Sequence, residues 1–93
     1  MQAASKQAAM PKTIHRNEYA VLLRLIREGR LRANLTQAQC SKALSRSQSF
    51  MSDVERGVRR LDIVQLRDLC RVLKSDLPSL IRKFERELRL RGR

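Results

Sequence analysis

The sequence predicts an all-α fold, on three observations. Apolar residues recur at spacings of three and four along most of the chain. Serine, threonine or aspartate stands just before each apolar stretch after the first. Strand-preferring aromatics are scarce, at 3% of the residues, with only two prolines and three glycines to interrupt helices. Ninety-three residues support one compact core and no more.

The first stretch, "MQAASKQAAMPK", has nothing to bury and is broken by Pro11, so residues 1–13 read as a flexible basic tail ahead of a domain spanning 14–93. It lacks the continuous apolar run of a signal peptide, and no segment reaches the roughly 18 apolar residues of a membrane span. From Tyr19 the apolar positions Tyr19, Leu22, Leu23 and Ile26 step along one helix face, and this first helix is expected to end near Ala33. Asn34 then takes the left-handed capping position usually held by glycine.

"LTQAQCSKAL" opens a second helix sharply at Gln37. Thr36 and Gln39 stand in capping-box register, in which each side chain satisfies the other residue's backbone N–H. This helix is about two turns long, because "SRS" at 45–47 competes for backbone hydrogen bonds and favours a turn. Ser47 is the expected cap of a third helix from Gln48 to about Arg56, stopped by Gly57, with Met51 and Val54 on its inner side. Asp62 and Gln65 form another capping pair, and Ile63, Leu66, Leu69, Cys70 and Leu73 are the expected buried face of a fourth helix. Asp76 caps a fifth, about 77–90, whose Leu77, Leu80, Ile81, Phe84 and Leu88 form one stripe among many charges.

Composition narrows the chemistry. Twenty-one Lys and Arg against nine Asp and Glu leave +12, which points to a polyanionic partner: nucleic acid first, an anionic membrane surface second. Cys40 and Cys70 both fall in helical apolar patterns and read as small core residues, which suits a reducing cytoplasm. His15 is the single histidine and stands in the expected tail, without a carboxylate or cysteine cluster to make a catalytic or zinc site. A non-enzymatic chain without metal, cofactor or small-molecule ligand is therefore expected.

What remains is geometric. A capped short helix, a tight turn and a second short helix, together about 36–57, have helix-turn-helix spacing, and the outward positions Gln48, Ser49, Ser52 and Asp53 are hydrogen-bonding types. A glutamine amide offers both donor and acceptor to the major-groove edge of adenine. Phe50 either packs on the second helix or meets a thymine methyl group. Lys42, Arg46, Arg56, Arg59 and Arg60 cluster around this unit, as phosphate contacts would.

"LTQAQCSKAL", "SQSFMSDVERG" and "RRLDIVQL" together resemble the phage-repressor helix-turn-helix proteins of the Xre or Cro type, over about Tyr19 to Leu80. The resemblance implies a compact five-helix domain in a cytoplasmic, nucleoid-associated protein encoded by a bacterium or phage. It implies that Gln37 binds a phosphate and braces Gln48, that Gln48 and Ser49 reach base edges, and that Arg56 and the loop arginines hold the backbone. It also implies a structural ion pair between Arg30 and Glu55. Asn34, Cys40 and Ser41 depart from the usual Gly, Leu and Ala, and Asp53 stands where many relatives carry Lys or Gln; Asp53 either accepts from cytosine N4 or pairs with Arg56.

The expected function is a sequence-specific double-stranded DNA-binding transcriptional regulator, a repressor acting as a homodimer. The stripe Leu80, Ile81, Phe84 and Leu88 is either core or the dimer interface. Two rivals belong to other classes: an antitoxin that blocks a toxin through its tail or last helix and autoregulates its operon, and a sequence-indifferent nucleic-acid coater. Single-strand binding has too few aromatics to stack bases.

Overall fold

The computed structural model describes residues 17–91, and within them the chain is helical with no strand. The expected tail, 1–13, and His15 lie outside the described residues. Five helices follow in order: α1 (Asn17–Arg32), α2 (Gln37–Ala43), α3 (Phe50–Glu55), α4 (Ile63–Val72) and α5 (Leu77–Arg91). None is long and apolar enough to cross a membrane.

The ends of these helices follow from local chemistry. α1 carries Glu18 in its first turn and Arg30 and Arg32 in its last, each sign opposed to the helix dipole. It closes as Asn34 turns left-handed, with φ 62°, and its N–H returns to the Leu31 carbonyl. Thr36 Oγ1 accepts from the Gln39 N–H at 3.0 Å while the Gln39 side chain accepts from the Thr36 N–H at 2.8 Å. Asp62 and Gln65 repeat the same reciprocal pair at 2.8 and 2.9 Å. At α5 the Asp76 carboxylate accepts from the Ser79 N–H at 2.8 Å. Those hydrogen bonds from Ser79 favour the ionised form and hold Asp76 below its usual carboxylate range.

Three elements differ from expectation. α3 begins at Phe50, two residues after the predicted start, and Ser47 does not cap it with its side chain; the Ser47 carbonyl instead accepts the Phe50 N–H at 3.0 Å in a turn. Helix 48–56 is thus a turn at Gln48 and Ser49 followed by a helix that ends before Arg56. Ile63 is 61% exposed, because the first turn of α4 projects beyond the core and only Leu66, Leu69 and Cys70 of that face are buried. In α1 the deeply buried positions are Val21, Ile26, Gly29 and Arg30, whereas Tyr19, Leu22 and Leu23 are half-buried.

The core joins Ile26 of α1, Cys40 of α2, Phe50, Met51 and Val54 of α3, and Leu66 and Leu69 of α4. Phe50 belongs to this cluster, which settles its side chain on the packing side. Around it lie Leu22, Leu44, Leu61, Val72, Leu73, Leu77 and Leu80. α1 packs on α5 and α3, α2 on α3, and α4 on α5, so the short α3 is covered from two sides while one edge stays open. Cys40 and Cys70 are free and buried, and burial pushes both thiols up, away from the reactive thiolate.

Candidate nucleic-acid interface

Two buried polar contacts fix α3. Ser41 is wholly buried on α2, and its hydroxyl accepts from the Met51 N–H at 2.9 Å. A residue of the preceding helix therefore satisfies one of the open N–H groups at the start of α3, which has no side-chain cap of its own. An unpaired N–H buried there would cost about 1–3 kcal/mol.

The second contact is the ion pair between Arg30 and Glu55. Arg30 donates through Nε to Glu55 Oε2 at 2.6 Å and through Nη2 to Oε1 at 3.1 Å, with both side chains under a tenth exposed. Its remaining nitrogen, Nη1, donates to the Leu35 carbonyl at 2.8 Å, so one guanidinium ties the end of α1, the loop before α2 and the end of α3. The hydrogen bonds to Glu55 hold Arg30 above its usual pKa and keep it charged. Gln37 joins the cluster, Nε2 donating to Glu55 Oε1 at 3.0 Å. Its amide nitrogen is thus turned inward to Glu55, rather than toward Gln48 as the resemblance implied.

Beyond this frame lies a polar edge. Gln48 and Ser49 are exposed in the turn, Ser52 and Asp53 are half-buried in α3, and the side chains of Gln48, Ser49 and Ser52 make no hydrogen bond among the described residues. Asp53 differs, accepting from Arg56 Nη2 at 2.6 Å, so both are engaged with each other on the surface. The Asp53 carbonyl also receives the N–H groups of Val58 and Arg59, at 2.9 and 3.1 Å, folding the loop back after Gly57. Gly57 has φ 79°, a conformation that side-chain-bearing residues rarely adopt.

The remaining cations predicted for this face lie on the surface. Lys42, Arg46, Arg59 and Arg60 are all exposed. The guanidinium of Arg46 lies 4.8 Å and that of Arg59 5.2 Å from the centre of the Phe50 ring, and Arg60 lies 4.8 Å from that of Tyr19. The sequence did not reveal Ser41 or Tyr19 as parts of this face, nor Phe50 as a seat for arginines. For Ser41 the available signal was its position beside Cys40, at the register of a buried residue; the ring contacts depend on loop paths that carry no local signature. Among the described residues no three His, Cys, Asp or Glu side chains converge as a metal site would require.

A capped two-turn helix locked by a buried hydroxyl to a second short helix, with an uncommitted polar edge bordered by guanidinium groups, defines a helix-turn-helix DNA-binding domain. Comparison with known proteins agrees: the family model described as a helix-turn-helix domain matches residues 18–83. Among solved structures, an XRE-family like protein from Pseudomonas syringae pv. tomato str. DC3000 is similar at 39% identity and a TM-score of 0.74, over 85% of this chain and 96% of that one. No curated protein matches. The chain belongs to the Xre-type helix-turn-helix family, a class of DNA-binding transcriptional regulators.

Proposed function

We propose that this protein is a sequence-specific repressor that occupies double-stranded DNA as a homodimer, with the edge formed by Gln48, Ser49 and Ser52 in the major groove. The observation that carries the reading is the uncommitted state of those three side chains, two in the turn before α3 and one on α3, a helix whose other side is fixed by Ser41 and by the Arg30–Glu55 pair. Base reading requires donors and acceptors that folding leaves free. Gln48 is the leading base contact. Asp53 keeps one carboxylate oxygen for cytosine N4 beside its bond to Arg56, and Arg56 keeps further N–H donors for a phosphate.

Lys42, Arg46, Arg59 and Arg60 supply the backbone contacts, with Gln37 at the start of α2 a further contributor through its backbone N–H. Dimerisation through α5 is supported by its stripe: no residue of α5 is fully buried, and Ile81 is 38% exposed beside half-buried Leu80, Phe84 and Leu88. Two copies would place recognition elements one helical turn of DNA apart, about 34 Å.

Selection of binding sites from random duplexes tests this reading, and a palindromic site is the expected result. Gln48→Ala should lose discrimination at one base position by about 1–3 kcal/mol. Arg59→Ala should weaken all sequences alike and reduce the log–log salt slope by about 0.9. If the two variants respond identically on every sequence, the base-reading assignment is wrong.

A further inference from the structure

Six arginines among the described residues are held in one of two ways. Arg24, Arg30 and Arg56 each donate to a carboxylate at 2.6 Å, on Glu87, Glu55 and Asp53 respectively. Arg46, Arg59 and Arg60 donate to no carboxylate or carbonyl among the described residues and lie instead over aromatic rings. The difference has a chemical consequence. A carboxylate takes up one or two N–H donors of a guanidinium and offsets its charge, whereas a ring attracts the flat face and leaves the in-plane donors and the charge available.

The ring-seated arginines come from both sides of α3 in the chain. Arg46 precedes α3, while Arg59 and Arg60 follow it, and Arg46 and Arg59 converge on the Phe50 ring. Phe50 is anchored in the core, at 6% exposed, and offers a rigid seat to Arg46 and Arg59. Tyr19, half-buried on α1, offers one to Arg60. The loop carrying Arg59 is itself pinned by the Asp53 carbonyl.

We propose that Phe50 and Tyr19 are positioning residues for duplex binding: their rings hold Arg46, Arg59 and Arg60 as a preorganised phosphate clamp around α3. This rests on the reading of that face as the DNA interface. A free arginine loses much rotamer freedom when it meets a phosphate, and an arginine already stacked on a ring loses less. Two of the three aromatic residues in the chain serve the clamp, and it is indifferent to base sequence.

The test measures the affinity of the full chain for its selected duplex and for a scrambled one, between roughly 50 and 200 mM salt. Tyr19→Leu should weaken binding to both duplexes about two- to fivefold, the scale of one exposed cation–π contact. Tyr19→Phe, which keeps the ring, should bind as the unaltered chain does. The salt slope should be unchanged in Tyr19→Leu, because Arg60 keeps its charge, but should fall by about 0.9 in Arg60→Gln. In the Arg60→Gln background, Tyr19→Leu should have no further effect, an outcome that general loosening of α1 would not produce.

Phe50→Leu extends the test to two arginines, read against an Arg46→Gln, Arg59→Gln background with thermal melting as the check on folding. Unaltered binding by Tyr19→Leu, or an equal loss with and without Arg60, overturns the clamp. Equal affinity for selected and scrambled duplexes would overturn base reading while leaving the clamp standing. No binding to any duplex would overturn both.

Discussion

α3 and α5 are opposites. α3 has six residues, too few to be stable alone, yet Phe50, Met51 and Val54 are all buried. α5 has fifteen residues, a strong division between apolar and charged sides, and none fully buried. The short helix is defined by what surrounds it: a hydroxyl from α2 at its start, an arginine from α1 at its end and a core on one side. The long helix is defined by its own hydrogen bonds and a carboxylate cap, with a half-exposed bridge from Glu87 to Arg24 of α1 at 2.6 Å. A helix that must present side chains at fixed positions is held from outside, whereas one whose stripe remains half-exposed retains surface for another contact.

Removing the arginine–glutamate bridge should do the greatest damage to the α3 side of this contrast. Glu55→Ala leaves Arg30 charged and buried without its partner, and denaturant unfolding should register a loss of about 3–5 kcal/mol. A loss below about 1 kcal/mol would mean water already reaches the pair. Met51→Ala comes next, at about 2–5 kcal/mol for a fully buried side chain, against about 1 kcal/mol or less for Ile81→Ala on α5. Equal costs at low protein concentration would erase the distinction between the helices. If Ile81→Ala destabilises only at high concentration, α5 is an interface between copies.

Ser41→Ala should cost about 1–3 kcal/mol, since it leaves the Met51 N–H without its acceptor; a neutral result would show that another group takes its place. The mildest effect belongs to the cap of α5. The folded-state pKa of Asp76 is depressed below the unfolded value, so its contribution to stability is present above about pH 4 and is lost as pH falls through the folded value. Asp76→Asn should remove that part of the acid dependence in melts between roughly pH 2 and 5, and an unchanged profile would show that the cap does not contribute it.

Much of the architecture was legible locally. Thr36 with Gln39 and Asp62 with Gln65 mark helix starts because a capping box is closed by residues three apart, and both pairs are made. Asn34 and Gly57 mark stops because left-handed backbone favours few residue types, and both have positive φ. The start of α3 was misjudged because Ser47 looks like a cap in isolation, whereas the Phe50 N–H that its side chain would serve goes to the Ser47 carbonyl, and the Met51 N–H goes to Ser41, ten residues away. Ile63 was misjudged because periodicity identifies a helix face without saying how far the neighbouring helices extend over it.

By itself the sequence determined the helices, their order, most of their ends and a surplus of positive charge, because these depend on residues within a turn of one another or on composition. Tertiary structure alone decided that Arg24 meets Glu87 while Arg59 and Arg60 rest on rings with their donors free, because those contacts depend on groups brought together from α1, α3, α5 and the loop after α3. Local spacing cannot specify such contacts, since their partners are distant along the chain and meet only when the core closes.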